Sequence, residues 1–302
     1  MTASPPPPGA DPKPQRPVRP TCYRHPDRVT GLSCTRCERP ICPDCMTAAS
    51  VGQHCPECVA EGNRRVRRAR TVFGGGVVSA PYVTWTILGL MGVGYVAQML
   101  TSGSPLSTSG SSLVQWLAMW GYGVAFQGEW YRLITAAFLH SGLWHILFNG
   151  WAMYALGPQL ERWLGHGRFL ALWVLGALGG SVLSLLATPD AASIGASGAI
   201  FALFGAVLML GRRLGLDVRM VLMLIGINLV ITVVFPSISW TAHIGGLAVG
   251  ILLGAVFAHL PGRSASPRTR NLVHTAALVL LAAVLAALVF ASPVLLTAFY
   301  AS

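Results

Sequence analysis

The sequence predicts an all-α membrane protein, a bundle of seven transmembrane helices preceded by a small zinc-stabilised module. Three observations carry that expectation. Of the 302 residues 53% are hydrophobic and only 10% charged, and the mean hydropathy is +0.59, well outside the soluble globular range. Apolar stretches of about 20 residues, the length that crosses a bilayer, recur along the chain. All seven cysteines fall between Cys22 and Cys58, ahead of the first such stretch.

In chain order, residues 1–20 form a proline-rich tail, disordered by composition. No charged start followed by an apolar run occurs there, so no cleaved signal peptide is expected, and the first span acts as an uncleaved signal anchor. Residues 21–60 contain Cys22-x2-His25, Cys34-x2-Cys37, Cys42-x2-Cys45 and Cys55-x2-Cys58, with His54 beside the last pair. Four two-ligand knuckles supply eight ligands, enough for two tetrahedral zinc ions. An odd cysteine count in a tight CxxC pattern argues for metal rather than disulfides, and for a reducing compartment.

In a cross-braced arrangement Cys22, His25, Cys42 and Cys45 hold one zinc, and Cys34, Cys37, Cys55 and Cys58 the other. His54 in place of a neighbour is an alternative. The spacing resembles a B-box type zinc finger, although Cys55 and Cys58 stand where that family often has histidines. So short a segment cannot build a sufficient apolar core, so metal supplies most of its folding free energy. The expected role is a folded module that binds a cytosolic protein partner, with redox or metal sensing as the lesser reading. Nucleic acid is not expected, because no basic and aromatic surface pattern stands out.

Residues 61–80 are a basic juxtamembrane linker containing Arg64, Arg65, Arg67, Arg68 and Arg70. It reads as a topology determinant that also meets anionic lipid headgroups. The net charge of +11 is spread over such short clusters, which is the pattern of membrane topology rather than of nucleic-acid binding.

The seven spans run from Tyr82 to Leu100, Leu143 to Leu160, Phe169 to Ala187, Ser197 to Leu214, Val218 to Phe235, Thr241 to Leu260 and Leu272 to Phe290. Six of them lie in a core over residues 81–262, and the seventh belongs to residues 263–302, which end in a short external tail. With the N-terminus inside, the internal loops hold Arg162 and Arg168, then Arg212, Arg213 and Arg219, then Arg263, Arg268 and Arg270. Of the 21 Lys and Arg residues only Arg132 then falls outside. The expected location is the cell membrane, with the N-terminus in the cytoplasm and the C-terminus outside. The long outward loop from Thr101 to Tyr131 contains Trp116-Leu117-Ala118-Met119-Trp120, too short to span and apolar enough to lie in the interface or wall a site.

This topology puts Ser197 at the outer start of the fourth span and His243 in the first turn of the sixth, at one depth. An imidazole can activate a serine hydroxyl at neutral pH. Gly195 and Gly198 around the serine allow close approach, and a helix start offers free N–H groups to an oxyanion. A third, carboxylate member is hard to find. Glu161 and Asp217 are on the cytoplasmic side and Asp190 is in a flexible outer loop, which favours a Ser-His dyad over a triad. His145 and Asn149, four apart in the second span, share a helix face and are candidates for the oxyanion hole.

The set Glu129-Trp130-Tyr131-Arg132, His140-x4-His145-x3-Asn149, Gly157-x3-Glu161-x3-Gly165, Gly195-Ala196-Ser197-Gly198 and Ala242-His243-Ile244-Gly245-Gly246-x3-Gly250 resembles the rhomboid intramembrane serine proteases. The likeness covers about Tyr82 to Leu260, in the right order. The extra span resembles the "6+1" rhomboid arrangement, and Phe201 stands where many rhomboids have a tyrosine that packs on the catalytic histidine. The resemblance implies a six-span catalytic core that hydrolyses a peptide bond in or near the transmembrane segment of a single-span substrate, near the outer face of the bilayer. Ser197 would be acylated and His243 would act as base and then acid. His145, Asn149 and the Ser197 N–H would bind the oxyanion, His140 would be structural, and Arg132 would brace the outer loop.

Zinc would be structural and no cofactor would serve catalysis. Glu161 is expected to partner nearby cations, and Gly246, Gly250 and Gly254 form a small-residue packing stripe. His166, His259 and His274 are given no role. A lone serine in a span is usually an interhelical hydrogen-bond donor, so the alternative is a catalytically silent rhomboid-like protein that binds or delivers membrane clients. A transporter would require repeats and charges at midplane that the sequence lacks.

Overall fold

The computed structural model describes residues 19–66, 69–235, 237–262 and 264–300. Most of the proline-rich tail lies outside the described residues, as do Arg67, Arg68 and Arg263 of the basic segments. The chain divides into two compact units, Met1–Arg68 and Ala69–Ser302.

The first unit has almost no regular structure. A two-residue hairpin pairs β1 (Thr47–Ala48) with β2 (Gln53–His54) in antiparallel register. Helix α1 (Pro56–Arg65) begins where Cys55 caps it by accepting the Cys58 N–H, with Pro56 at the first helical position, where its missing N–H costs nothing. The interior is a cluster of six buried cysteines and Ile41, so sulfur occupies the place of an aliphatic core.

The second unit is helical throughout. It comprises α2 (Tyr82–Ser102), α3 (Ser112–Leu117), α4 (Gly121–Gln127), α5 (Arg132–Thr135), α6 (Leu143–Leu164), α7 (His166–Ala187), α8 (Ser197–Arg213), α9 (Arg219–Val234), α10 (Trp240–His259) and α11 (Pro267–Tyr300). Seven of these fall on the seven expected spans. Helices α2, α7, α10 and α11 are each long and apolar enough to cross a bilayer. Helix α6 carries His145, Asn149, Glu161 and Arg162, and α8 and α9 have only 17 and 16 residues. Helix α11 extends beyond the expected Leu272–Phe290 at both ends. Proline at its first position starts it early.

Helices α7, α8 and α10 meet at backbone distance. A Cβ on Gly246 would lie 1.9 Å from Gly198 O, and one on Gly250 would lie 2.0 Å from Ala202 O. On the other side of α10 a Cβ on Gly245 would lie 2.3 Å from Gly179 O. These residues are glycines because no side chain fits between the helices; the stripe is the contact itself.

Glu161 differs from expectation. It is fully buried and accepts the backbone N–H groups of Val83 (3.0 Å) and Thr84 (2.9 Å), the Thr84 hydroxyl (2.6 Å), and His166. Its carboxylate therefore caps the N-terminus of α2, where free N–H groups and the helix dipole favour an anion, instead of pairing with a neighbouring arginine. His166 thereby acquires a partner. His274 does too, since its Nε2 donates to Leu260 O at 2.7 Å.

Candidate active site

The segment that delivers Ser197 is pinned rather than flexible. Met119 and Ser193 exchange N–H···O bonds of 3.0 and 2.9 Å, the Gly121 N–H donates to Pro189 O, and the Gly195 N–H donates to Ala136 O at 2.9 Å. The Trp116–Trp120 stretch thus splits its roles. Trp116 is exposed, whereas Ala118 and Met119 are buried and wall the segment carrying Asp190. Arg132, itself buried, donates to Glu129 (2.6 Å) and to the carbonyls of Gln115 and Ala118 (both 2.9 Å), tying α3 to α5.

Gly195 then turns with φ +123, a left-handed conformation that glycine adopts without strain. A Cβ there would lie 2.6 Å from His145 Nε2 and 3.5 Å from Asn149 Nδ2. Both side chains of α6 therefore face the backbone just before Ser197. The Ser141 N–H donates to His145 Nδ1 at 3.3 Å, which leaves the ring proton on Nε2, the atom that faces Gly195. Asn149 Nδ2 is buried and has no hydrogen-bond partner among the described residues. Two N–H donors are thus held together at the start of α8.

His140 is completely buried and packs edge-on against His145, with ring centroids 5.0 Å apart. Gln98 clasps its backbone, accepting the His140 N–H at 2.8 Å and donating to its carbonyl at 3.1 Å. His140 accordingly shapes the turn into α6.

Ser197 opens α8, so its backbone N–H has no intrahelical acceptor. Its side chain is partly exposed, and Oγ has no hydrogen-bond partner among the described residues. One turn on, Phe201 stacks on His243 with centroids 4.1 Å apart and planes 15° apart. The contact of Gly246 with Gly198 sets this height, and a hydroxyl cluster of Ser184, Thr188, Ser239 and Thr241 fixes the start of α10.

The residue that sequence reasoning missed is Thr232 of α9. Its hydroxyl donates to Asn228 O at 2.7 Å and so accepts from His243 Nδ1–H, also at 2.7 Å. That leaves the lone pair on His243 Nε2. A search restricted to carboxylates could not find it; the available signal was a polar residue within an apolar helix.

In the first unit the donor atoms form two groups, Cys22, His25, Cys42 and Cys45, and Cys34, Cys37, Cys55 and Cys58, each with all four atoms within 4.8 Å of one another. His54 belongs to neither. His25 Nδ1 lies 3.9, 3.4 and 3.4 Å from the sulfurs of Cys22, Cys42 and Cys45, and Cys37 and Cys55 sulfurs are 3.7 Å apart. Tetrahedral zinc with bonds of about 2.0 Å to nitrogen and 2.3 Å to sulfur implies edges of about 3.5 and 3.8 Å, so the donors fit the ion. Burial raises the Cys22 and Cys34 thiols, but backbone N–H donors outweigh it and hold both at about 6. Burial pushes Cys45 up to about 11 and Cys58 to about 12. Burial raises Cys42 too, but hydrogen bonding, first of all with His25, outweighs it. The first group thus has two thiols held below the usual thiol value, Cys22 and Cys42, and the second has Cys34.

Comparison with known proteins agrees with the helical unit. A rhomboid domain matches residues 127–260, a stretch containing His145, Asn149, Ser197, Thr232 and His243. The chain is 38% identical over 151 residues to the rhomboid-family protein YdcA of Bacillus subtilis, covering 47% of this chain and 75% of YdcA. It is 36% identical over 137 residues to rhomboid protease GluP of Bacillus subtilis, covering 43% of this chain and 26% of GluP. It is also 36% identical over 159 residues to RHOMBOID-like protein 7 of Arabidopsis thaliana, covering 49% of this chain and 50% of that protein. With its bundle, its membrane-spanning helices and these relatives, the chain belongs to the rhomboid family.

Proposed function

We propose that this protein is an intramembrane serine endopeptidase that cleaves single-span membrane proteins in or near their transmembrane segment with a Ser197-His243 dyad. The observation that carries this reading is the convergence at the start of α8. His145 Nε2 and Asn149 Nδ2 flank Gly195, and His243 stacks one turn from Ser197.

Ser197 Oγ attacks the scissile carbonyl carbon while its proton passes to His243 Nε2. The resulting oxyanion lies among His145 Nε2–H, Asn149 Nδ2–H and the Ser197 N–H. His243 then protonates the leaving amine as the C–N bond breaks, giving the acyl-enzyme. Water attacks that ester, losing a proton to His243, which returns it to Ser197 Oγ. Distribution of Lys and Arg supports a cytoplasmic N-terminus, with the active-site mouth and C-terminus outside. In domain terms, residues 81–262 form the catalytic core, residues 263–302 add the seventh span, and residues 61–80 link them to the module.

A reconstituted single-span substrate with helix-destabilising residues near its outer end tests this reading. Wild type cleaves it, and Ser197→Ala or His243→Ala each lowers kcat by a factor on the order of 10⁶, the loss that follows removal of either the serine or the histidine from subtilisin. Ser197 Oγ has no hydrogen-bond partner among the described residues, and the second reading is a catalytically silent protein that binds membrane clients. Failure of an active-site serine probe to label wild type, with equal inactivity of all three proteins, would decide for it.

Residues 21–60 form a B-box-like module holding two structural zinc ions, with a cytosolic protein as partner. Purified protein releases about two zinc ions per chain to a chelator, and Cys42→Ser lowers this to about one. No zinc in metal-replete preparations would sink the assignment.

A further inference from the structure

Ser197 and Arg213 stand at opposite ends of α8, about 24 Å apart at 1.5 Å per residue. At the Arg213 end is a cavity of about 230 Å³ whose lining includes Phe73, Leu214, Phe257 and Leu260, with Arg213 and Arg270. We propose that this cavity binds the phosphate of an anionic phospholipid headgroup, independently of the catalytic reading.

The first support is an assembly of cations without counter-ions. Arg213 Nε donates to Ala258 O at 2.9 Å, which leaves its terminal amino groups free for a ligand. Arg70 and Arg168 both donate to Asn271 Oδ1, at 3.4 and 2.8 Å, and reach the carbonyls of Gly74 and Phe73. The aliphatic part of Arg270 packs on Gly74, where a Cβ would lie 2.8 Å from its Cδ. Among the described residues no carboxylate pairs with any of these four arginines. Like charges gathered on neutral acceptors repel one another, and an anion in the cavity removes that cost. Membrane topology alone explains arginine at this end but not its placement. Exposed residues such as Arg162 and Arg212 would satisfy it equally, without guanidinium groups held on carbonyls around a cavity.

The second support identifies the occupant. Phe73, Leu214 and Phe257 give the cavity apolar walls, and exposed Leu260 carries that lining to the surface. Free phosphate has no use for apolar walls, whereas a phospholipid places its phosphate at Arg213 and Arg270 and its glycerol and acyl carbons against them. The guanidinium fork suits phosphate oxygens in bidentate pairs.

The test measures binding of short-chain phosphatidylglycerol to the full-length protein in zwitterionic detergent, with phosphatidylcholine and inorganic phosphate as further probes. Wild type binds phosphatidylglycerol in preference to phosphatidylcholine, and equimolar inorganic phosphate does not displace it. The Arg213→Gln, Arg270→Gln double variant weakens binding by about tenfold or more, and Arg212→Gln stays within about twofold. The Arg213→Lys, Arg270→Lys pair keeps the charges but not the forks, so it binds more weakly than wild type and more tightly than the glutamine pair, which holds the test open if the glutamine pair misfolds. Unchanged binding by a folded glutamine pair, an equal loss in Arg212→Gln, or displacement by inorganic phosphate would each overturn the proposal.

Discussion

Helices α8 and α9 follow one another in the chain and are built on opposite principles. Eleven of the seventeen residues of α8 are buried, against two of the sixteen of α9. Helix α8 touches α10 backbone to backbone through Gly198, Ala202 and Ala206, while Gly226 of α9 has open space where a Cβ would go. The proposed nucleophile thus rides on the most confined neighbour and the histidine's hydrogen-bond partner on the loosest. The contrast teaches that precision here comes from closeness of main chains: the heights of Ser197, Phe201 and His243 follow from glycines that admit nothing between helices.

The largest effect should come from testing that closeness directly. Gly246→Ala puts a methyl group 1.9 Å from Gly198 O, an atom that can yield only if α8 and α10 move apart. Destabilisation above about 3 kcal/mol is expected, at or beyond the usual range for overpacking, with loss of cleavage. Gly226→Ala meets nothing and replaces a poor helix former, so it should leave stability unchanged or raise it by up to about 1 kcal/mol. Thermal unfolding of the two variants in one detergent makes the comparison, and similar melting temperatures would show that the backbone contact is not what holds α8.

A smaller effect is expected where α6 meets the start of α8. Asn149→Ala removes a buried donor that has no partner among the described residues, so the fold loses little, while the transition state loses one oxyanion contact. Its kcat should fall by about 100 to 1,000 fold with KM nearly constant. A matching loss of thermal stability would instead make Asn149 a structural residue.

Legibility in the sequence follows the same division. The seven helices are visible there because apolar runs carry their own signal even where, as in α8 and α9, they are shorter than a full span, and both four-donor groups in the first unit are visible because paired knuckles have fixed spacing. The Ser197, His243, His145 and Asn149 set is legible as residue types at one depth. What spacing cannot show is who touches whom across helices. Glu161 reads like a partner for cations yet caps α2 from 77 residues away, because a carboxylate inside the bundle is drawn to the free N–H groups of a helix start. His243 reads like half of a bare dyad, because nothing local to α10 reveals that α9 supplies a hydroxyl.

Thr232 gives the finest test of the contrast, since it carries a positioning role on the loose helix. Its hydroxyl proton is committed to Asn228 O, so it receives the Nδ1 proton of His243 and keeps Nε2 free for the proposed role as base. Thr232→Val keeps the shape and deletes that acceptor. One neutral hydrogen bond is worth about 1 kcal/mol, so kcat should fall by roughly fivefold to tenfold while KM and melting temperature stay near wild type. Thr232→Ser restores the oxygen and should recover most of the rate. If valine and serine lose activity alike, the methyl packing matters and the hydroxyl does not. If neither loses activity, the stack on Phe201 alone orients His243, and the catalytic geometry then belongs wholly to α8 and α10.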